Sequence, residues 1–169
     1  MNVISVDPGA GHTGLAYVSE LSVICYKTIS GPPIRNDKDK LIDRARRITQ
    51  QILAFIADKP HEMVIIEGYT GGFAGRQNAF SHQTPFLCGY IIRALEHAGE
   101  QYVVQLSSEV LNPRAKGSMV SYADSANGRN QAKQNALKRS GWRNVDNLPN
   151  DHVRSAALHA CYYFKNKQG

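Results

Sequence analysis

Met63-Val64-Ile65-Ile66 restricts the fold more than any other segment. Four consecutive apolar residues stand between Glu62 and Glu67 with no polar face left over, which fits a strand buried at the centre of a sheet. The segment before it has a different period. Leu41, Ile42, Ala45, Ile48, Ile52, Phe55 and Ile56 recur at three- and four-residue steps, the mark of an amphipathic helix; Asn36 or Asp37 can cap it and Pro60 stops it. The first 28 residues alternate in the manner of strands: Asn2–Val6, Thr13–Val18 and Leu21–Thr28. The breaker-rich turn Asp7-Pro8-Gly9-Ala10-Gly11-His12 separates the first two. A second helix is expected over Phe86–Ala98, a fifth strand over Tyr102–Leu106, a third helix over roughly Arg129–Lys138, and a last helix from Pro149 or Asn150 onward. The order β-β-β-α-β-α-β-α-α predicts an α/β fold, a central mixed five-stranded sheet flanked by helices. With 169 residues, 42% of them apolar, one domain over 1–169 is expected.

Several classes drop out. No apolar run approaches the roughly 20 residues of a membrane span. The start MNVISVDPG lacks the basic and long apolar parts of a secretory signal. Cys25, Cys88 and Cys161 are odd in number and far apart, unlike a disulfide framework or a zinc site. A cytoplasmic chain with three small apolar thiols is the reading they support.

Charge gives the first positive pointer. Net +6 points toward a polyanion. Between Leu111 and Arg143 lie Arg114, Lys116, Arg129, Lys133, Lys138, Arg139 and Arg143 against a single acid, Asp124, so the remaining 136 residues sum to zero. A localised basic segment is the footprint of a nucleic-acid surface.

Three acids supply the chemistry. Asp7 ends the first strand, Glu67 ends the MVII strand and Asp151 opens the last helix. Taken singly, each also suits a turn or a cap. If their strands are neighbours they can converge, and clustered carboxylates then call for a hard cation such as Mg²⁺ or Mn²⁺.

These residues resemble a known family. Asp7-Pro8-Gly9 with Thr13-Gly14, Val64-Ile65-Ile66-Glu67, and Asp151 ahead of Ala156-Ala157-Leu158-His159-Ala160 are similar to the RuvC Holliday-junction resolvases, members of the RNase H-like nucleases. Asn78–Leu95 resembles that family's helix after the glutamate, while Leu111–Val145 matches loosely. The resemblance implies an RNase H-like fold in which Asp7, Glu67 and Asp151 hold two divalent metals roughly 4 Å apart. One would activate a water and the other would stabilise the leaving 3′ oxygen. The family usually carries an acid or histidine three residues before its final aspartate. Here that place is Leu148, with Asp146 and His152 as substitutes nearby. If Asp151 filled the earlier place, the later one would be Arg154. Asp151 is therefore expected to be the ligand. His152, about 100° further round the helix, would share the site only if the first turn is irregular.

Other candidates follow. His152 can bind a metal or move a proton. Lys133, within Gln131-Ala132-Lys133-Gln134, is the nearest match to the family's active-site lysine. Tyr69 and Phe73 lie in a glycine-rich loop and can stack on an unpaired base. Arg76, Gln77, Arg114, Lys116, Arg129, Lys133 and Lys138 are candidate DNA contacts. Trp142 is expected to pack the end of the basic helix.

The resulting expectation is a Mg²⁺- or Mn²⁺-dependent, structure-selective endonuclease that resolves four-way junctions by paired symmetric nicks. Two symmetric nicks call for a homodimer. Its alternatives are a nuclease of flaps and forks, a silent DNA-binding module of the same fold, and an ATP-binding relative. The three retained acids weigh against the second, and the short chain without a second phosphate loop weighs against the third.

Overall fold

The computed structural model describes residues 1–9, 11–20, 22–31, 38–69, 83–121, 124 and 129–167, with backbone alone at 38, 39, 129 and 130. Its elements are β1 (Asn2–Asp7), β2 (His12–Ser19), β3 (Ser22–Ser30), α1 (Lys38–Ile56), β4 (Met63–Gly68), α2 (Gln83–Ala98), β5 (Tyr102–Leu106), α3 (Ser107–Val110), α4 (Arg129–Arg139) and α5 (Asp151–Lys167). The strands form one mixed sheet in the order β3-β2-β1-β4-β5. β3, β2 and β1 run antiparallel, whereas β1, β4 and β5 are parallel. The five-stranded α/β expectation is met.

β4 takes its place because of its side chains. Val64 and Ile66 point to one face and Ile65 to the other, and all three are fully buried. Two cores therefore sandwich the sheet. On one side Ile4, Val6, Leu15 and Ile66 meet Ile48, Ile52 and Ile56 of α1 and Leu87, Ile91 and Leu95 of α2. On the other, Val3, Ala16 and Ile65 meet Ala136 and Leu137 of α4 and Ala156, Ala157 and Ala160 of α5. Trp142 is buried in this second core, its ring centroid 6.0 Å from that of Phe164.

The alanines let α5 lie close to the sheet. The approach is tight at Gly14, where an added Cβ would run into the His152 carbonyl and sit 2.6 Å from the Val153 nitrogen. Only a residue without a side chain lets the first turn of α5 rest there on β2. Asn150 caps that turn, its Oδ1 accepting the Val153 N–H at 3.0 Å. From α1, buried Arg44 donates to the carbonyls of Gly11 and Gly31, tying the β1–β2 turn to the end of β3.

Most boundaries shift by one or two residues, and three of the shifts bear on the site. β1 and β4 run one and two residues further than expected, so Asp7 and Glu67 lie inside strand ends. α2 begins at Gln83 rather than Phe86, and α3 was not expected. The predicted caps Asn36 and Asp37 lie outside the described residues. No described helix is long and apolar enough to cross a membrane.

Candidate active site

Parallel pairing of β1 with β4 sets Val6 beside Ile66, so Asp7 and Glu67, one residue on, emerge side by side at the same sheet edge. Asp7 is 8% exposed. Burial, and then the Glu67 charge, push its pKa up; His152 and Lys133 oppose them. Burial also works against ionisation of Glu67, but His159, Ser107 and Ser155 overcome it and hold its pKa at about 2. Glu67 is therefore a fixed negative charge, and Asp7 is the neighbour that feels it.

Glu67 is clamped from two sides. Ser107, at the start of α3, donates its hydroxyl to Oε1. Ser155 of α5 donates to Oε2 at 2.6 Å. The Nε2 of His159, a residue without solvent exposure, lies 3.4 Å from the same oxygen, and its Nδ1 contacts Gln105 Oε1 at 3.1 Å. None of these four residues was predicted. A serine and a histidine interrupting the small apolar face of α5 were the available signal.

The first turn of α5 reverses the expectation for its two polar residues. His152 faces the site, Nδ1 to Asp7 Oδ2 at 3.0 Å, with its ring centroid 6.1 Å from that of His12. The contact with Asp7 raises its pKa against the burial that lowers it. Asp151 turns to α4 instead, where the Lys133 ammonium bonds Oδ2 at 2.7 Å, while Oδ1 is buried without a hydrogen-bond partner. Among the described residues no group of three His, Cys, Asp or Glu side chains is placed to hold a metal ion. Asp7, Glu67 and Asp151 are thus not gathered into a three-carboxylate cluster. His152, Ser155 and His159 share one face of α5; Asp151, about 100° from His152 but only about 40° from Ser155 around the helix, borders that face and is drawn to α4 by Lys133.

The remaining candidates divide. Asp146 is exposed and paired with Lys138 at 2.7 Å, away from the carboxylates. Arg154 bonds Gln134 Oε1 and the Leu148 carbonyl, joining α5 to α4 and the preceding loop. Tyr69, two residues beyond Glu67, is 45% exposed. Arg114 and Lys116 are exposed on the loop after α3. Arg129 heads α4, its side chain outside the description. Phe73, Arg76 and Gln77 lie outside the described residues.

Two largely buried, mutually repelling carboxylates fit one hard divalent cation between them. Such an ion is commonly held by one or two carboxylates, with water and phosphate oxygens completing its shell. An imidazole on one carboxylate and an ammonium nearby complete a site suited to phosphate chemistry.

No protein-family model matches the sequence, and no curated protein matches it. Solved structures do. Thermus thermophilus RuvC in complex with a Holliday-junction substrate superposes at a TM-score of 0.65 and 19% identity, covering 98% of this chain and 96% of that one. A second T. thermophilus RuvC structure gives 0.63 and 18%, over 99% and 97%. The yeast mitochondrial Holliday-junction resolvase Ydc2 gives 0.54 and 13%, over 96% and 77%. Sheet order, flanking helices and these superpositions agree: the chain has the RNase H-like fold of the RuvC resolvases.

Proposed function

We propose that this chain is a divalent-metal-dependent endonuclease that resolves four-way DNA junctions by paired symmetric nicks. The observation that carries the reading is the pair Asp7 and Glu67, set side by side by β1 and β4 on a fold shared with resolvases. One of the superposed proteins was itself captured with a Holliday-junction substrate, which favours branched DNA over linear duplex.

Asp7 and Glu67 hold the cation, Mg²⁺ or Mn²⁺. When bound, it neutralises charge on the scissile phosphate and makes a water nucleophilic near neutral pH. The chain's residues supply the rest. Ser107, Ser155 and His159 keep Glu67 ionised and fixed in one orientation. His152, anchored to Asp7 through Nδ1, keeps Nε2 for proton exchange with the attacking water or the leaving oxygen. Lys133 brings positive charge beside Asp151 at the site's edge, where it can meet a phosphate. Arg114, Lys116 and the start of α4 hold the DNA backbone, and the aromatic Tyr69 meets an unstacked base. Two copies acting as a cytoplasmic homodimer place two such sites in positions related by the two-fold axis of a junction.

The deciding experiment is Mg²⁺-dependent cleavage of a synthetic four-way junction, with cut sites mapped, beside a flap and a linear duplex. Paired cuts at symmetry-related positions, lost with Asp7→Asn, are expected. Equal cutting of the flap would make this a general branched-DNA nuclease. Binding without any cutting would make it a DNA-binding module.

A further inference from the structure

We infer that each chain holds one divalent cation rather than two, and that Ser155 sets that number. The inference rests on the metal-nuclease reading and adds the stoichiometry of its site.

The argument is a count of donors. Glu67 already accepts a hydrogen bond on each carboxylate oxygen, from Ser107 on Oε1 and Ser155 on Oε2, and His159 Nε2 crowds Oε2 further. Each oxygen has two acceptor positions, so one position per oxygen is left for a cation. Asp7 gives one position on Oδ2 to His152, which by the same count leaves the other position on that oxygen and, among the described residues, Oδ1. These donors suffice for one ion seated between the two carboxylates and completed by water and phosphate oxygens.

A second ion needs a carboxylate of its own, and α5 is the element that faces Glu67 from the other side. The residues it presents there are His152, Ser155 and His159, none of them an acid. The one acid of that first turn, Asp151, is committed to Lys133 on α4. Ser155 is fully buried with its hydroxyl 2.6 Å from Glu67 Oε2. That is where a further carboxylate would have to stand to share a second ion with Glu67. The hydroxyl donates a hydrogen bond to Glu67 and is neutral, so the place lacks the anionic ligand that a second divalent cation beside Glu67 calls for.

The test counts Mn²⁺ bound by the full-length, DNA-free protein. The loss of the free-ion electron paramagnetic resonance signal during titration gives the count, and calorimetry checks it. One ion per chain is expected for the natural protein, for Asp151→Asn and for Ser155→Ala. Asp7→Asn should weaken binding at least about tenfold. Ser155→Asp, folded by circular dichroism, should take two ions. Should Ser155→Asp fail to fold, the counts for Ser155→Ala and Asp151→Asn decide. Two ions on the natural protein, a site lost with Asp151→Asn, or a folded Ser155→Asp that still binds one would overturn the inference. Cleavage measured on the same samples separates the two readings. A protein that binds one ion and cuts no DNA keeps the count and loses the nuclease assignment. A protein that cuts junctions with two ions does the reverse.

Discussion

Glu67 and Asp7 differ in how firmly each is held, and that difference is testable. Hydroxyls and an imidazole fix the Glu67 charge, whereas Asp7 is held, among the described residues, by His152. Glu67→Gln replaces one acceptor oxygen by an amide nitrogen, which cannot accept from the serine it faces, Ser107 or Ser155. It should lower the single-turnover cleavage rate at least about a hundredfold, roughly the 3 kcal/mol or more that a mispositioned metal forfeits. Junction affinity should stay within about threefold by gel shift, because the phosphate contacts lie elsewhere. A rate within tenfold of the natural protein would remove Glu67 from the chemistry. Both acids were legible in the sequence because each ends an apolar strand, and a strand end has one place to go. Asp151 and His152 were not. They are adjacent on a helix, and which of them faces the sheet depends on the phase at which α5 docks. Gly14 under the His152 backbone and Lys133 reaching over from α4 set that phase. Ser107 and Ser155 escaped notice for a related reason, lying 40 and 88 residues from the glutamate they hold.

The docking of α5 on β2 is the element-scale feature on which the site depends. Gly14→Ala puts a methyl group into the backbone of His152 and Val153, which have no flexible end to move aside. The overpacking should cost about 1–3 kcal/mol, lowering Tm by about 2–4 °C per kcal/mol in a chain of this size. Cleavage should fall by more than the loss of folded protein explains, because α5 carries His152 and Ser155 away from Asp7 and Glu67. Unchanged cleavage in a destabilised Gly14→Ala would show that the helix is free to re-seat. α4 is tied down differently. Arg139 reaches Asp124 Oδ2 at 2.7 Å and the Met119 carbonyl, and Ser121 donates to the same buried carboxylate. Although burial pushes the Asp124 pKa up, Arg139 and Ser121 bring it below its ordinary value. A carboxyl depressed in the folded state contributes in full above its unfolded pKa, and the contribution fades as pH falls through the folded value. Asp124→Asn should therefore cost about 1–3 kcal/mol in urea unfolding at pH 7 and markedly less near pH 3. An equal loss at both pH values would mean that the charge is not what matters. The sequence revealed the long elements because nineteen residues of α1 repeat their period five times. It concealed α3, whose four residues complete barely one turn.

At the scale of the molecule, basic charge is concentrated where the sheet carries α4 and α5, yet much of it already has work in the free protein. Lys133, Lys138 and Arg139 pair with Asp151, Asp146 and Asp124. Lys116 and Arg143 are exposed on loops before and after α4. This division predicts two kinds of response. Removing Lys116 and Arg143 together should leave Tm within about 2 °C, since exposed substitutions away from special features shift stability by about 0.5 kcal/mol or less. It should also flatten the dependence of log K on log salt, by about 0.9 for each phosphate no longer neutralised. Arg139→Ala should do the opposite, lowering Tm by releasing buried Asp124 and changing the salt slope by less than a single phosphate's share. The measurement is junction affinity from about 50 to 200 mM salt beside thermal unfolding of the same samples. Were the Lys116 and Arg143 double variant to keep the full slope, the DNA would lie on another face, and the charge excess of residues 111–143 would serve the fold instead.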